Sequence, residues 1–561
     1  MKRIYLILMS LAVIMLSACS ADESLTSAGN NNSPDSKLSM RGTLTDTRVI
    51  ETDGGAGVNT SSMTTSWAKT DMMAVVYNAG TSVSPAYSSA QFETTDGAKD
   101  GFFQSTNSFT QDQIDGYINN SAIAMNKTNA ASNDTITATQ TSINTNSLTG
   151  TVNLLDKQNG TLGNVSHYDL IYASSTSNGV NQKPFEFKHA MSVIRIDLSN
   201  LSTSATYIKS ATITYTPSGS TSQLLATSVS YAYDGTTLTQ SAISTTSVSM
   251  TCPTGGSSVA SANQVKVSGR SASLYLVVPG NTATKYYSGT LVVSVTDNNN
   301  VTRGCNIVLK SKTLSPGSLY AKAATVIAVG MYYFSDGTWG TLAENPGKTP
   351  IAVIFSTTPS TTDMGHNWTH GYAMALKNAA KNVNWGTYGT DTSLPNSSDK
   401  TSQTTQDMDG YTNTQTIKNT YALSTSNYPA FYYALNYGVT APSGSSKWFL
   451  PSIGQWYLIA ANLGGLSGTY NTFFAPFIYI WGGKATAVDN SINAYLSPVS
   501  GSDSFYYYYY YNSWYWGSTE ADTNNGTIFQ MFFSNVQLNQ AIKNNGALFT
   551  YGGYVRPAIA F

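Results

Sequence analysis

Charge is what this chain has least of. Asp, Glu, Lys and Arg make up 11% of its 561 residues, less than half the roughly 25% of an ordinary globular protein. The 29 basic and 30 acidic side chains leave a formal net charge of -1. That excludes a nucleic-acid binder, whose affinity comes from many phosphates neutralised by Lys and Arg. Cysteine is nearly absent: 3 residues cannot build a disulfide framework or a four-ligand zinc site. After Cys19 only Cys252 and Cys305 remain, a candidate disulfide for an oxidising compartment if their Cα atoms approach closely enough. Histidine is scarce as well, at 4. His189 has no second histidine, cysteine or nucleophile motif around it and reads as structural, so no enzyme is expected. Long apolar runs are missing beyond the first residues, since no later stretch reaches the roughly eighteen residues of a spanning helix.

Hydroxyls, amides and 45 glycines fill the gap left by charge. With 41% hydrophobic and 12% aromatic residues the chain is too apolar for disorder. At the front, Lys2 and Arg3 precede an apolar run from Ile4 to Leu16 broken only by Ser10. As a helix that run rises about 20 Å, short of the bilayer core of about 30 Å, so it reads as a signal peptide. Leu16-Ser17-Ala18-Cys19 resembles the lipobox of bacterial lipoproteins, which makes Cys19 the expected lipid anchor and lipid the expected membrane attachment. Asp22 and Glu23 resemble the export tag of surface lipoproteins, which implies a surface-exposed place on the cell outer membrane.

From about Thr47 the pattern is one of short β runs between Gly, Asn and Asp turns. Strands are read at Met72–Tyr77, Tyr168–Ala173, Ser192–Leu198, Ser273–Val278 and Thr290–Val295. In the third, Ile194, Ile196 and Leu198 share a face, and Arg195 and Asp197 are expected on a wet one. Thr47-Arg48 with Ser66-Trp67-Ala68-Lys69-Thr70-Asp71, then His167–Ala173, Phe185–Ala190, Leu276–Pro279 and Leu314–Tyr320, taken in order, resemble the two domains of fimbrillins, the pilins of Gram-negative anaerobes. The resemblance implies two transthyretin-like β-sandwiches and partnership with other pilin subunits by strand exchange. It also implies that a protease cutting after a basic residue frees an N-terminal strand, with Arg41 and Arg48 as the candidate cuts.

From Val329 the chain turns richer in Trp, Tyr and Gly. A helix is expected after Pro451, with Ser452 as N-cap, Gly464 as stop, and Ile453, Trp456, Tyr457 and Ala460 on one face. Trp448-Phe449-Leu450-Pro451, Trp516-Gly517-Ser518-Thr519-Glu520 and Val555–Phe561 resemble the C-type-lectin-like fold of bacterial surface proteins. Glu520 and Arg556 are expected to pair as a structural clamp. The triplets that bind calcium and sugar in animal lectins are missing, and His366 and His370, flanked by Gly365 and Gly371, read as loop rather than zinc site, so no metal or cofactor is expected. The ligand face is placed on Tyr506, Tyr507, Tyr508, Tyr509, Tyr510, Tyr511, Asn512, Ser513 and Trp514. A strand turns alternate side chains to opposite faces, so a one-sided core leaves half of them for solvent, where tyrosine makes a good anchor. The resemblance places the same stretch on the ligand face, and its Tyr, Asn and Ser content fits diversification by a retroelement.

The expected fold class is thus mainly β: two transthyretin-like β-sandwiches followed by an α+β C-type-lectin-like domain. The expected division is residues 1–18 as lipoprotein signal peptide, 19–44 as tether, 45–184 and 185–328 as fimbrillin-like sandwiches, and 329–561 as ligand-binding domain. The expected role is a surface adhesin, a tip or accessory pilus subunit for a glycan or protein ligand. The alternative is a stand-alone surface lipoprotein that binds glycans for uptake or degradation.

Overall fold

The computed structural model describes residues 39–44, 50–52, 72–78, 87–94, 100–105, 117, 122–127, 139–142, 145–154, 158–165, 168, 170–176, 179, 182–219, 223–254, 263–280, 287–394, 407–468, 471–472, 479–505, 513–546 and 553–561. They are mainly β. The strands expected at Met72, Ser192, Ser273 and Thr290 form as Met72–Asn78, Met191–Ser199, Ala272–Pro279 and Tyr287–Asp297. Each is rich in β-branched or aromatic residues that suit a half-buried pleated surface.

Where a first sandwich is expected, seven strands close into a barrel: Ser39–Leu44, Gln182–His189, Ile171–Ser175, Ala122–Lys127, Met72–Asn78, Tyr87–Thr94 and Asp100–Ser105. Closure comes from Ser39–Leu44, the end of the expected tether, which instead runs parallel to Gln182–Phe187 on one side and antiparallel to Asp100–Ser105 on the other. Met40, Val75, Tyr77, Tyr117, Phe185 and Phe187 are buried.

Two further four-stranded sheets enclose a common apolar core. One has the order Ala272–Pro279, Met191–Ser199, Leu319–Thr325, Ile50–Thr52; the other Ser247–Thr251, Ile208–Pro217, Tyr287–Asp297, Thr302–Lys312. A third sheet, ordered Leu238–Ser244, Ala226–Tyr233, Thr145–Asn153, Thr139–Ser142, covers the opposite face of Met191–Ser199, where Met191 and Val193 pack with Val229 and Tyr231. That third layer corrects the expectation of a wet face. Arg195 is 4% exposed, and its guanidinium lies 3.1 Å from the Asp197 carboxylate, which also accepts a hydrogen bond from the Ser273 hydroxyl at 2.7 Å. A charge held under a second sheet has to be paired there.

The candidate disulfide is also corrected, since Cys252 and Cys305 are both free thiols. Cys305 lies on Thr302–Lys312 and Cys252 just past Ser247–Thr251, at opposite edges of one sheet with two strands between them. Three strand spacings amount to roughly 14 Å, twice the reach of a disulfide. Burial pushes both thiols up to about 12.

The last third holds two five-stranded sheets. One is ordered Trp339–Gly340, Tyr332–Phe334, Pro350–Ser356, Tyr372–Ala375, Ala558–Ala560; the other Asn471–Thr472, Tyr479–Trp481, Asn535–Ile542, Asn525–Phe532, Ser513–Glu520. The expected helix forms as Ile453–Leu458, continued by a wider turn over Ile459–Leu463. Ser452 caps it in a reciprocal box with Gln455, and Gly464 follows its end. Ile453, Trp456, Ile459 and Ala460 point into the core between helix and sheets.

Candidate functional site

The segment expected to carry the ligand face is held at both ends by packing. At its N-terminal end, Phe505 is buried, its N–H donates to Asn493 Oδ1 at 2.6 Å, and its ring stacks on Tyr515 at 4.4 Å. Arg556 secures the same end. Its Nη2 donates to the Asp503 carbonyl at 2.9 Å, its Nε to Asn378 Oδ1 at 2.8 Å, and its guanidinium lies 5.3 Å from the Phe505 ring centroid. At the C-terminal end the chain enters the sheet as Ser513–Glu520, with Ser513 opposite Met531 and Trp514 opposite Gln530. Tyr506 to Tyr511 and Asn512 lie between these two fixed ends and outside the described residues.

Trp514 does not face solvent. It is 3% exposed and sits edge-on to Trp516 at 6.1 Å, in a cluster with Trp385, Phe431 and Leu450. Tyr515, pointing the other way, joins the core of Trp456 and Phe529. Alternation along the strand is as expected, but this strand has a hydrophobic cluster on each side, so neither set of side chains reaches water. Three neighbouring indoles donate to backbone: Trp385 Nε1 to the Gly517 carbonyl at 2.7 Å, Trp456 Nε1 to that of Trp516 at 3.0 Å, and Trp516 Nε1 to that of Val383 at 2.7 Å. Three rings thus fix one strand, as buried indoles require.

Glu520 is paired with a different cation from the one expected. It forms a buried ion pair with Lys543, both side chains being 0% exposed, and accepts the Thr392 hydroxyl at 2.6 Å. Lys543 Nζ also donates to the carbonyls of Thr390 at 2.7 Å and Thr523 at 2.9 Å. The pair ties three loops together beneath the strand, while Arg556 serves Asp503 and Asn378. Sequence spacing could not separate the two cations, because Lys543 belongs to no recognisable motif.

Two exposed aromatics among the described residues, Tyr388 and Phe533, are not anticipated from the sequence, and Phe533 lies beside the strand Ser513–Glu520. Asn525–Phe532 and Asn535–Ile542 join through a two-residue turn, Phe533–Ser534, with Phe532 opposite Asn535. Phe533 takes a positive φ of 49° and is 45% exposed, its ring 4.2 Å from that of Phe532. Gly or Asn normally fills such a position, because a side chain there is strained. Since Ser513 pairs with Met531, the start of Ser513–Glu520 lies next to this turn. Two phenylalanines before Ser534-Asn535 were the available signal.

Toward the N-terminus, Arg41 is exposed but its backbone lies within the barrel strand, opposite Pro184 and Phe102. Cys19 and Arg48 lie outside the described residues. His366 stacks on Trp368 at 4.8 Å, and His370 is enclosed between Trp339 at 4.7 Å and Phe561 at 6.4 Å, where burial lowers its pKa. Among the described residues no group of three acidic, histidine or cysteine side chains is placed to hold a metal ion.

Scanned against protein-family models and curated proteins, the chain matches none. Among solved structures it is similar to a fimbrial protein from Bacteroides ovatus, with 13% identity over 94% of this chain and 100% of that one at a TM-score of 0.29. It is also similar to the fimbrial anchor protein Mfa2 from Porphyromonas gingivalis, with 10% identity over 57% of this chain and 96% of that one at a TM-score of 0.24. At such TM-scores the likeness carries no argument about what the chain does.

Proposed function

We propose that the chain is a cell-surface adhesin of fimbrillin type, lipidated at Cys19 on the outer membrane. As a tip or accessory pilus subunit it presents the lectin-like region 329–561 to a glycan or protein ligand. The observation that carries the reading is the strand Ser39–Leu44, bonded on both sides in the barrel and followed within a few residues by Arg48. Cutting after Arg48 severs this strand from the rest of the chain. Its departure leaves Gln182–Phe187 and Asp100–Ser105 each with an open edge, a slot that an extended segment of another subunit fills by strand addition. Arg41 is the poorer cut, because its backbone is locked in the ladder and a protease needs it locally open. In the last third of the chain, the exposed Phe533 beside the start of Ser513–Glu520 supplies an aromatic anchor on a rigid base, and the tyrosines of 506–511 are the further candidates.

The test treats the full chain with an arginine-specific protease and looks for ladders on gels run without boiling. Ladders that vanish in Arg48→Ala, and persist in Arg41→Ala, support strand exchange. Cleavage after Arg48 with no ladder sinks it and leaves the stand-alone glycan-binding lipoprotein. A glycan and host-protein binding screen with the full chain and with Phe533→Ala then reports on the ligand face.

A further inference from the structure

The geometry points to a second association surface, unrelated to strand exchange: the strand Leu238–Ser244 pairs edge to edge with the same strand of a second copy of this chain. It is the outer strand of its sheet, bonded to Ala226–Tyr233 on one side and, among the described residues, to no strand on the other. The Asp234 N–H donates to the Thr237 carbonyl at 3.3 Å, which sets the phase of the ladder. Thr239, Ser241 and Ile243 therefore bond inward to Ala232, Ser230 and Ser228, while Leu238, Gln240, Ala242 and Ser244 direct their backbone N–H and C=O groups to the open side.

Among the described residues, three other edge strands are covered or guarded. The strand Ala272–Pro279 has its edge taken by Gln158, whose amide exchanges two hydrogen bonds with Val277 at 3.0 and 2.6 Å, and by the Gly160 carbonyl. Ser513–Glu520 is met by the carbonyls of Tyr554 and Pro451. Thr302–Lys312 has part of its edge taken by Ile327, which exchanges two backbone bonds with Gly304 at 2.8 and 2.7 Å, and it carries Lys310 and Lys312, charges of the kind that guard an edge. Leu238–Ser244 has no charge, proline or glycine. Its Ile243 is 67% exposed, more than any other large apolar side chain among the described residues.

The occupant that fits is a second copy. Antiparallel pairing about a two-fold axis at Ser241 sets Gln240 opposite the second copy's Ala242, with their open backbone groups exchanging bonds. On the outer face it sets Thr239 opposite Ile243, twice, so each exposed isoleucine gains a β-branched neighbour, and Ser241 meets Ser241. No charges oppose one another, and chains of net charge -1 approach without appreciable repulsion.

The test uses the full chain carrying Cys19→Ser. Cys252 and Cys305 are buried, so they do not compete. Ser241→Cys puts two thiols on a non-hydrogen-bonded pair whose Cα atoms come about 4.5 Å apart, within disulfide range. Mild oxidation should give a disulfide-linked dimer, and at least tenfold less of it when Ala242→Pro is added. Proline there removes an outward N–H and leaves the inner ladder intact. If Ala242→Pro fails to melt like its parent, Ile243→Lys, which places a charge on the paired face, replaces it. A Ser241→Cys chain that stays monomeric overturns the proposal. So does one that dimerises equally with the blocking change, which is collision only, or one whose edge captures an unrelated peptide in preference to itself. Laddering through Ser39–Leu44 is independent of all these variants, so the two readings fail separately.

Discussion

Ser39–Leu44 and Leu238–Ser244 are strands of similar length, and they sit in opposite situations. The first has a neighbour on each side and closes a barrel; the second has, among the described residues, one neighbour and ends a sheet. In the first, Met40 is fully buried, whereas in the second Ile243 is the most exposed large apolar residue described. What differs is what the strand is for once formed. A strand bonded on both sides holds its barrel shut and matters to a partner only after it leaves. A strand bonded on one side is available without any change. The same contrast recurs in the last sheet, where Trp514 is buried between neighbours and Phe533 stands out at a turn.

Substitutions that test this contrast fall in order of size. Trp514→Ala should cost about 3–5 kcal/mol, as for a buried aromatic truncated in a packed cluster. A chemical melt of the full chain unchanged by this variant would mean that the C-terminal strand is not fixed as described. Met40→Ala should follow at about 2–5 kcal/mol, read as earlier unfolding and as faster protease cutting of the barrel.

Lys183 sharpens the comparison through pH. It is fully buried opposite Met40, with Nζ 3.1 Å from the Thr176 carbonyl and 5.4 Å from the Tyr117 ring centroid, and burial lowers its pKa to about 8. Between pH about 8 and about 10.4, its ordinary value, the unfolded chain binds the extra proton. Stability contributed by this group therefore rises as pH rises through that window and is lowest below it. Lys183→Met should flatten the alkaline slope of a pH-dependent melt, and so should release of Ser39–Leu44, which uncovers the lysine. A slope indifferent to both changes would place its origin elsewhere.

At the turn, Phe533→Asn should raise stability by about 1 kcal/mol, because Asn tolerates the positive φ that strains a phenylalanine. Ligand capture should fall in the same variant. Opposite movement of melt and binding marks a strained residue kept for contact, and parallel movement would make it structural. Smallest of all, Ile243→Ala should change stability by no more than about 0.5 kcal/mol, while weakening self-association measured by sedimentation.

Much of the fold was legible from residue order. The β runs at Met191, Ala272 and Tyr287 and the capped helix at Ile453 are local: propensity, alternation and the Ser452–Gln455 box act within a few residues. Readings that failed shared one assumption, that a strand has one covered face. Arg195 was placed in water because it alternates with Ile194 and Ile196, and Trp514 because it follows a run of tyrosines. In both cases a second layer, contributed by residues far along the chain, covers the other face. The Glu520 partner was misread for a related reason, since three loops brought together by folding decide which cation lies within reach.

By itself, then, the sequence determined the β character of the chain, its low charge, the positions of its clearest strands and helix, and the change of composition at Val329. These follow from forces between near neighbours and from counting charge. Only the tertiary structure decided that Ser39–Leu44 closes a barrel, that Cys252 and Cys305 stand strands apart, that Lys543 holds Glu520, and that Leu238–Ser244 is left, among the described residues, with an open edge. Pairing, coverage and exposure are set by which distant segments meet, and alternation along one strand carries no record of what will pack against it.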